Sequence, residues 1–169
     1  QTIDSSGRIL TTTARPHVFC QGFSSTSNNA SSGQTINGMT MDGAWKIMRN
    51  FSNVYENYGN HYDNSTGIFT APLTGIYMLS LGYGYQEVAS KYVGIGIITG
   101  GSSDNTVRGI RTSWTANDAK QDHGGQISFC KYITSGTEVA PTMRQTDSNV
   151  TTPSDGNIEF FHWNVTFLG

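Results

Sequence analysis

Short runs of alternating apolar and polar residues, separated by clusters of Gly, Ser, Asn and Asp, dominate this chain. A period of two is the mark of a half-buried β-strand. The pattern predicts strands at 17–23 (HVFCQGF), 66–70 (TGIFT), 76–85 (IYMLSLGYGY), 91–99 (KYVGIGIIT) and 107–113 (VRGIRTS). It predicts three more at 125–133 (GQISFCKYI), 138–144 (EVAPTMR) and 157–168 (NIEFFHWNVTFL). Many short strands with turn-rich spacers point to an all-β sandwich or barrel, not to alternating βαβ units.

Two of these strands show which side is buried. In 76–85, Tyr77, Leu79, Leu81, Tyr83 and Tyr85 share one face, and Ile76, Met78, Ser80, Gly82 and Gly84 the other. The first face is large and apolar and reads as core. The second is small and smooth, so another surface can approach it closely. In the last strand, Phe161, Trp163, Val165 and Phe167 alternate with Phe160, His162, Asn164 and Thr166. The second face either meets solvent or, given the apolar content of Ile76, Met78, Ile158 and Phe160, meets another subunit. In MTMDGAWKIMRN, Met41, Ala44, Trp45 and Met48 have helical spacing, while Trp45 and Ile47 alternate as in a strand. A strand is expected, because an isolated short helix is marginal. Residues 24–38 are low in complexity and read as a mobile loop.

Length and composition narrow the picture. The 169 residues suit one domain. Charged residues make up 13% of the chain, about half the usual share for soluble domains. With a net charge of −2, the surface is polar but nearly uncharged, which argues against a nucleic-acid partner. No stretch stays apolar for the roughly 18 residues of a membrane-spanning helix, so no membrane insertion is expected. The opening QTIDSSGRIL has no initiator Met and no signal-peptide pattern, and reads as the C-terminal part of something longer. Cys20 and Cys130 are expected to be buried free thiols, although their number alone allows a disulfide.

Motifs for catalysis are missing. There is no G-x-S-x-G, H-E-x-x-H, C-x-x-C or phosphate-cradling Gly loop. Acidic residues are scattered, so no glycosidase pair can be picked out. His17, His61, His123 and His162 stand singly, without a partner at metal spacing. A non-enzymatic chain without cofactor or metal is expected.

From Phe51 onward the spacing becomes specific. Asn57, Tyr62, Phe69, Gly75 and Tyr77 follow it. This run resembles the signature of the C1q-like domain, the jelly roll shared with tumour-necrosis-factor-type ligands. Two departures, Leu79 and Leu81 where the signature has aromatics, are apolar exchanges on one face. HYDNSTGIFTAPLTGIY and the ending FFHWNVTFLG are similar to the family's corresponding segments. The opening IDSSGRILTTTARPHVF resembles the lead-in to C1q-like domains at the C-termini of bacteriophage tail and fibre proteins. The resemblance divides the chain into a lead-in over 1–14 and a domain over 15–169. It implies a ten-stranded jelly-roll sandwich that forms a homotrimer.

The same resemblance implies a role. The first, third and last predicted strands would lie near the threefold axis, placing Ile76, Met78, Gly82, Gly84, Ile158, Phe160 and His162 at the trimer interface. Loops at one end would then bind a host cell-surface receptor or glycan three at a time. The leading candidate is 112–125, with Trp114 among Asn117, Asp118, Asp122 and His123, an aromatic platform beside polar groups that suits sugars. Equally, Trp114 caps the core and the rest is a solvated loop. Asp104 and Asn105 in 99–106 form a second candidate. The acidic residues lack the alternating pattern of a calcium loop. The expected setting is the tip of a phage fibre or tail in the virion. The alternatives are a virion decoration protein and a secreted recognition protein. The sequons at Asn29, Asn64, Asn149 and Asn164 permit the last of these, though a glycan would fit poorly at Asn164 inside a strand.

Overall fold

The computed structural model describes residues 2–3, 9–10, 15–23, 35–36, 39–40, 44–87, 92–100, 111–115, 122–145, 150–151 and 161–169. Side chains are described at 15–22, 44–82, 94–100, 126–144 and 161–169. Every regular element among them is a strand. In chain order these are β1 (Thr2–Ile3), β2 (Ile9–Leu10), β3 (His17–Phe23), β4 (Thr35–Ile36), β5 (Met39–Thr40) and β6 (Trp45–Ile47). Then come β7 (Phe51–Asn57), β8 (Tyr62–Asp63), β9 (Ile68–Thr70), β10 (Gly75–Glu87) and β11 (Tyr92–Thr99). The chain continues with β12 (Arg111–Thr115), β13 (Asp122–Ile133), β14 (Glu138–Gln145), β15 (Val150–Thr151) and β16 (His162–Phe167).

Two six-stranded sheets carry the fold. The first runs β13-β10-β16-β3-β7, with β15 beside the end of β10; the second runs β12-β11-β14-β9-β8, with β6 also on β14. All of these pairings are antiparallel. The chain passes repeatedly from one sheet to the other, and this arrangement fits a jelly roll. Several strands are only two or three residues long, so the sheets hold more pieces than the ten strands that the resemblance implies.

The core lies between the sheets. Rows of inward residues cross the first sheet in register: Leu81, Trp163 and Cys20 in one row, and Leu79, Val165 and Val18 in the next. They meet Phe69, Ile95, Ile97, Val139 and Met143 of the second sheet. Tyr77 is the hinge between layers, with its ring edge-on to Phe69 (5.8 Å) and to Phe167 (5.0 Å). Aromatic pairs in this geometry add about 0.5–1.5 kcal/mol beyond the area they bury. The Tyr77 hydroxyl donates to the Leu73 carbonyl at 2.8 Å and ties down the corner that precedes its own strand. Gly75 sits at that corner because a Cβ would fall 2.6 Å from the Gly169 carbonyl and from the Phe167 ring.

Two asparagines close the ends of β7. Asn57 donates to the Tyr62 carbonyl (2.8 Å) and accepts from the Tyr62 N–H (3.1 Å). Asn64 does the same for Phe51, donating to its carbonyl (3.0 Å) and accepting from its N–H (2.9 Å). Each amide side chain thus stands in for a strand neighbour. The Asn64 amide nitrogen, the atom a sequon glycan would occupy, is already engaged.

Most expected strands are present. The strand reading of the tryptophan segment holds at Trp45–Ile47, while Met41 lies outside the described residues. The strand expected at 107–113 is seen at Arg111–Thr115. Two short pieces, β4 and β5, fall in or beside the stretch read as a loop. Strand β7 was not expected: FSNVYEN lacks clean alternation, and β7 is an edge strand whose pairing with β3 is broken by a register shift at Phe19/Cys20. The thiols also differ from expectation. Both are free and Cys20 is buried, but Cys130 is exposed. Cys130 pairs with Met78 on the outward side of the edge strand β13, where no second layer covers it.

Replacing Asn57 with Ala leaves both backbone groups of Tyr62 without their partner. Urea unfolding is expected to show a loss of about 1–3 kcal/mol, as for other buried groups left unpaired. A loss of less than about 0.5 kcal/mol, within the range of an ordinary surface change, would contradict this account.

Candidate functional site

Alternation in β10 and β16 sends Ile76, Met78, Gly82 and His162 to the outer face of the first sheet. These four expected interface residues therefore share one surface. Gly84 lies further along β10, paired with Gly124 of β13. Ile158 and Phe160 lie outside the described residues.

The middle of this face is polar and low in relief. Ser80 is buried and accepts a hydrogen bond from the Gln126 amide at 2.9 Å. Asn164 accepts from the Thr166 hydroxyl at 2.9 Å, and its amide lies 3.4 Å from His17 Nε2. The other His17 ring nitrogen is 2.7 Å from a Glu56 carboxylate oxygen. His162 packs flat over Gly82, where a Cβ would collide with the imidazole. Half-burial lowers the His162 pKa below its usual 6.5.

Apolar exposure gathers at the two margins. At the β13–β10 margin, Tyr132 (65% exposed) is the register partner of Ile76 (45%), and Cys130 the partner of Met78. At the β3–β7 margin, Tyr55 (57%) stacks on Phe19, with ring centroids 5.7 Å apart and planes at 24°, and Tyr58 (50%) lies beside His17. Sequence reading missed this second patch, because β7 was not recognised as a strand. The alternation of Phe19 with buried Val18 and Cys20 was the available signal. The two patches differ in composition and lie at opposite margins of one sheet.

Cys20 and Tyr62 form a buried polar pair beneath this sheet. Burial pushes the Cys20 thiol up to about 12, and a hydrogen bond with Tyr62 offsets this only in part. Burial and the neighbouring Cys20 also push the Tyr62 hydroxyl up. Both stay neutral at physiological pH, so this Cys is no nucleophile.

The expected binding loop is reshaped. Residues 111–115, with Trp114, form β12 in the second sheet, where Trp114 pairs with Val93. Asp122 and His123 open β13 in the first sheet, paired with Gln86 and Tyr85. The segment read as one loop over 112–125 is therefore strand at both ends and crosses between sheets. The long β10 extends pairing to Gln86 and draws 122–125 into the ladder. Asn117, Asp118, Asp104 and Asn105, and the side chains of Trp114, Asp122 and His123, lie outside the described residues. Among the described residues no cluster of three or more His, Cys, Asp or Glu could hold a metal ion.

Comparison with known proteins names the architecture. The family model for the C1q domain matches residues 23–123, more than half of the chain. The chain belongs to the C1q domain family. This C1q domain is also similar in structure to the globular domain of the zebrafish complement 1qA protein. The TM-score is 0.54 at 9% sequence identity, covering 92% of this chain and 98% of that one. At that identity the likeness concerns the fold. A search of curated proteins finds no match. The signature positions of the C1q domain have physical roles here: Phe51, Tyr62, Phe69 and Tyr77 are core, Asn57 bridges strands, and Gly75 makes room at a corner.

The sign of the His162 effect follows from linkage. A folded pKa below the unfolded one means that the unfolded chain binds more protons in the window between them. His162 therefore contributes stability above about pH 6.5, and that contribution is lost as pH falls through the folded pKa. Denaturation midpoints measured from pH 7.5 to 5 are expected to fall more steeply for the native chain than for His162→Gln. Parallel curves would refute the assignment.

Proposed function

We propose that this C1q domain is a non-enzymatic homotrimeric display module, set at the tip of a phage fibre or tail protein, that binds a host-surface receptor or glycan. The observation that carries this reading is the pair of unlike apolar patches at opposite margins of one sheet. A contact joining two different patches is heterologous, and it closes into a ring when the rotation is right. Ile76 with Tyr132 on one copy would meet Tyr55 with Phe19 on the next. The smooth centre, with Ser80 and with Gly82 beneath His162, would face the axis. Three copies would present the segments near Trp114, Asp122 and His123 together, so that weak sites act through multivalency.

The phage setting rests on the resemblance of the opening IDSSGRILTTTARPHVF to phage fibre lead-ins. The zebrafish complement neighbour supports the alternative of a secreted recognition protein. Against that alternative, the Asn64 amide nitrogen already donates to the Phe51 carbonyl.

Two charge substitutions test the ring, with mass read by sedimentation. Tyr132→Asp and Tyr55→Asp, each alone, are expected to give monomers. Mixed, they are expected to give a one-to-one dimer, since each supplies the patch the other lacks. Wild-type mass in either variant, or no dimer in the mixture, would overturn the heterologous contact. In the same preparation, Trp114→Ala is expected to weaken adsorption to host cells without changing mass. Unchanged adsorption removes Trp114 from the receptor site.

A further inference from the structure

We propose that the outer face of the second sheet carries a ligand groove, away from the proposed association face, that takes a small hydroxylated ammonium compound of the amino-sugar class. The groove has a volume of about 330 Å3, near the lower end for small-molecule clefts. It lies over β8, β9 and the start of β14. Tyr62 and Phe69 pair with each other and point into the core, so their neighbours Asp63 and Ile68 pair on the outward side. Thr70 pairs with Glu138 in the same way. His61 joins them through its carbonyl, which accepts from the Thr70 N–H at 2.8 Å.

The lining is mostly polar, gathered about one aliphatic side chain. Ile68 supplies an aliphatic contact, and Asn60, Thr66 and Thr70 supply an amide and hydroxyls. A pyranose has the matching character, with an apolar ring face and a hydroxylated edge. The charges select further. Asp63 and Glu138 both line the groove, and neither has an ion-pair partner among the described residues. One Asp63 oxygen accepts from the Ser65 N–H (2.8 Å) and hydroxyl (2.6 Å), which leaves the other free for a ligand. Those donors hold the Asp63 carboxyl below the usual carboxylate range, so it is ionised at neutral pH. The turn is fixed again by the Gly67 N–H on the Asp63 carbonyl at 2.7 Å, so the carboxylate is held in position before any ligand arrives.

A bare metal ion does not suit this groove. Among the described residues no three candidate ligands come together closely enough. Carboxylates spread around a cleft of this size suit a larger cation whose charge is carried on an organic frame. A neutral sugar would keep the hydrogen bonds and lose the ion pair. An acidic sugar would meet repulsion from both carboxylates.

The test is a titration of the full chain with D-glucosamine, D-glucose and D-glucuronate, read by amide shifts in a nitrogen–proton NMR spectrum. Glucosamine is expected to shift Ile68, Thr70 and Glu138 with millimolar affinity. Glucose is expected to bind up to about fivefold more weakly, the range that a solvent-exposed ion pair supplies, and glucuronate not at all. Glu138→Gln removes one of the two carboxylates and should narrow the gap between glucosamine and glucose, and Asp63→Asn with Glu138→Gln should close it. Added salt should narrow the same gap. Trp114→Ala is expected to leave these shifts unchanged, which keeps this site distinct from the proposed receptor segment. Equal binding of all three sugars, a full preference that survives the double change Asp63→Asn with Glu138→Gln, or no shift at these amides with glucosamine would overturn the proposal.

Discussion

The pairing register of β10 is the constraint on which the rest of this structure depends. Thirteen residues long, β10 is held on one side by β13 and on the other by β16. Register fixes Tyr77, Leu79 and Leu81 inward, beside Phe167, Val165 and Trp163. A slip of one residue would bury Ile76, Met78, Ser80 and Gly82 and expose the three large side chains. Nothing on the small face could fill the space that Tyr77 occupies between Phe69 and Phe167. The same alternation that builds the core therefore decides what the outer face is made of.

Local devices hold that register at the base of the sandwich. The Tyr77 hydroxyl on Leu73 and the missing Cβ of Gly75 fix where β10 begins. At the other edge of the sheet, Asn57 ties the end of β7 to Tyr62 of β8, and Asn64 ties the start of β7 at Phe51 to the turn after β8. Each bond is worth about 1 kcal/mol net. Their larger effect is to remove alternatives, because a shifted strand would leave buried backbone groups without partners.

Strands with clean alternation were legible in the sequence, and their faces with them. Tyr77, Leu79, Leu81, Trp163 and Val165 were read as core and are fully buried. Strand β7 was not legible, because an edge strand with a register shift loses its period of two. With it went the aromatic margin of Tyr55 and Tyr58. The environment of Cys130 also escaped: burial of a thiol depends on which strand becomes an edge, and that is a property of topology, not of local pattern. The segment around Trp114 was read as one loop. Its ends join different sheets, which no single stretch of sequence reveals. The groove over Ile68 likewise depends on a pairing between residues distant in sequence, Thr70 with Glu138.

The outer face of the first sheet links fold to proposed function. Its centre is polar, with Ser80, Asn164 and Thr166, and its margins carry two different apolar patches. A monomer in water would leave Tyr132 and Tyr55 mostly wet, and a closed ring would cover both. Sedimentation equilibrium of the unmodified chain at micromolar concentration tests this most directly. The account predicts a single species with three times the 18.4 kDa chain mass. A species with the mass of one chain, unchanged on raising the concentration, would contradict it.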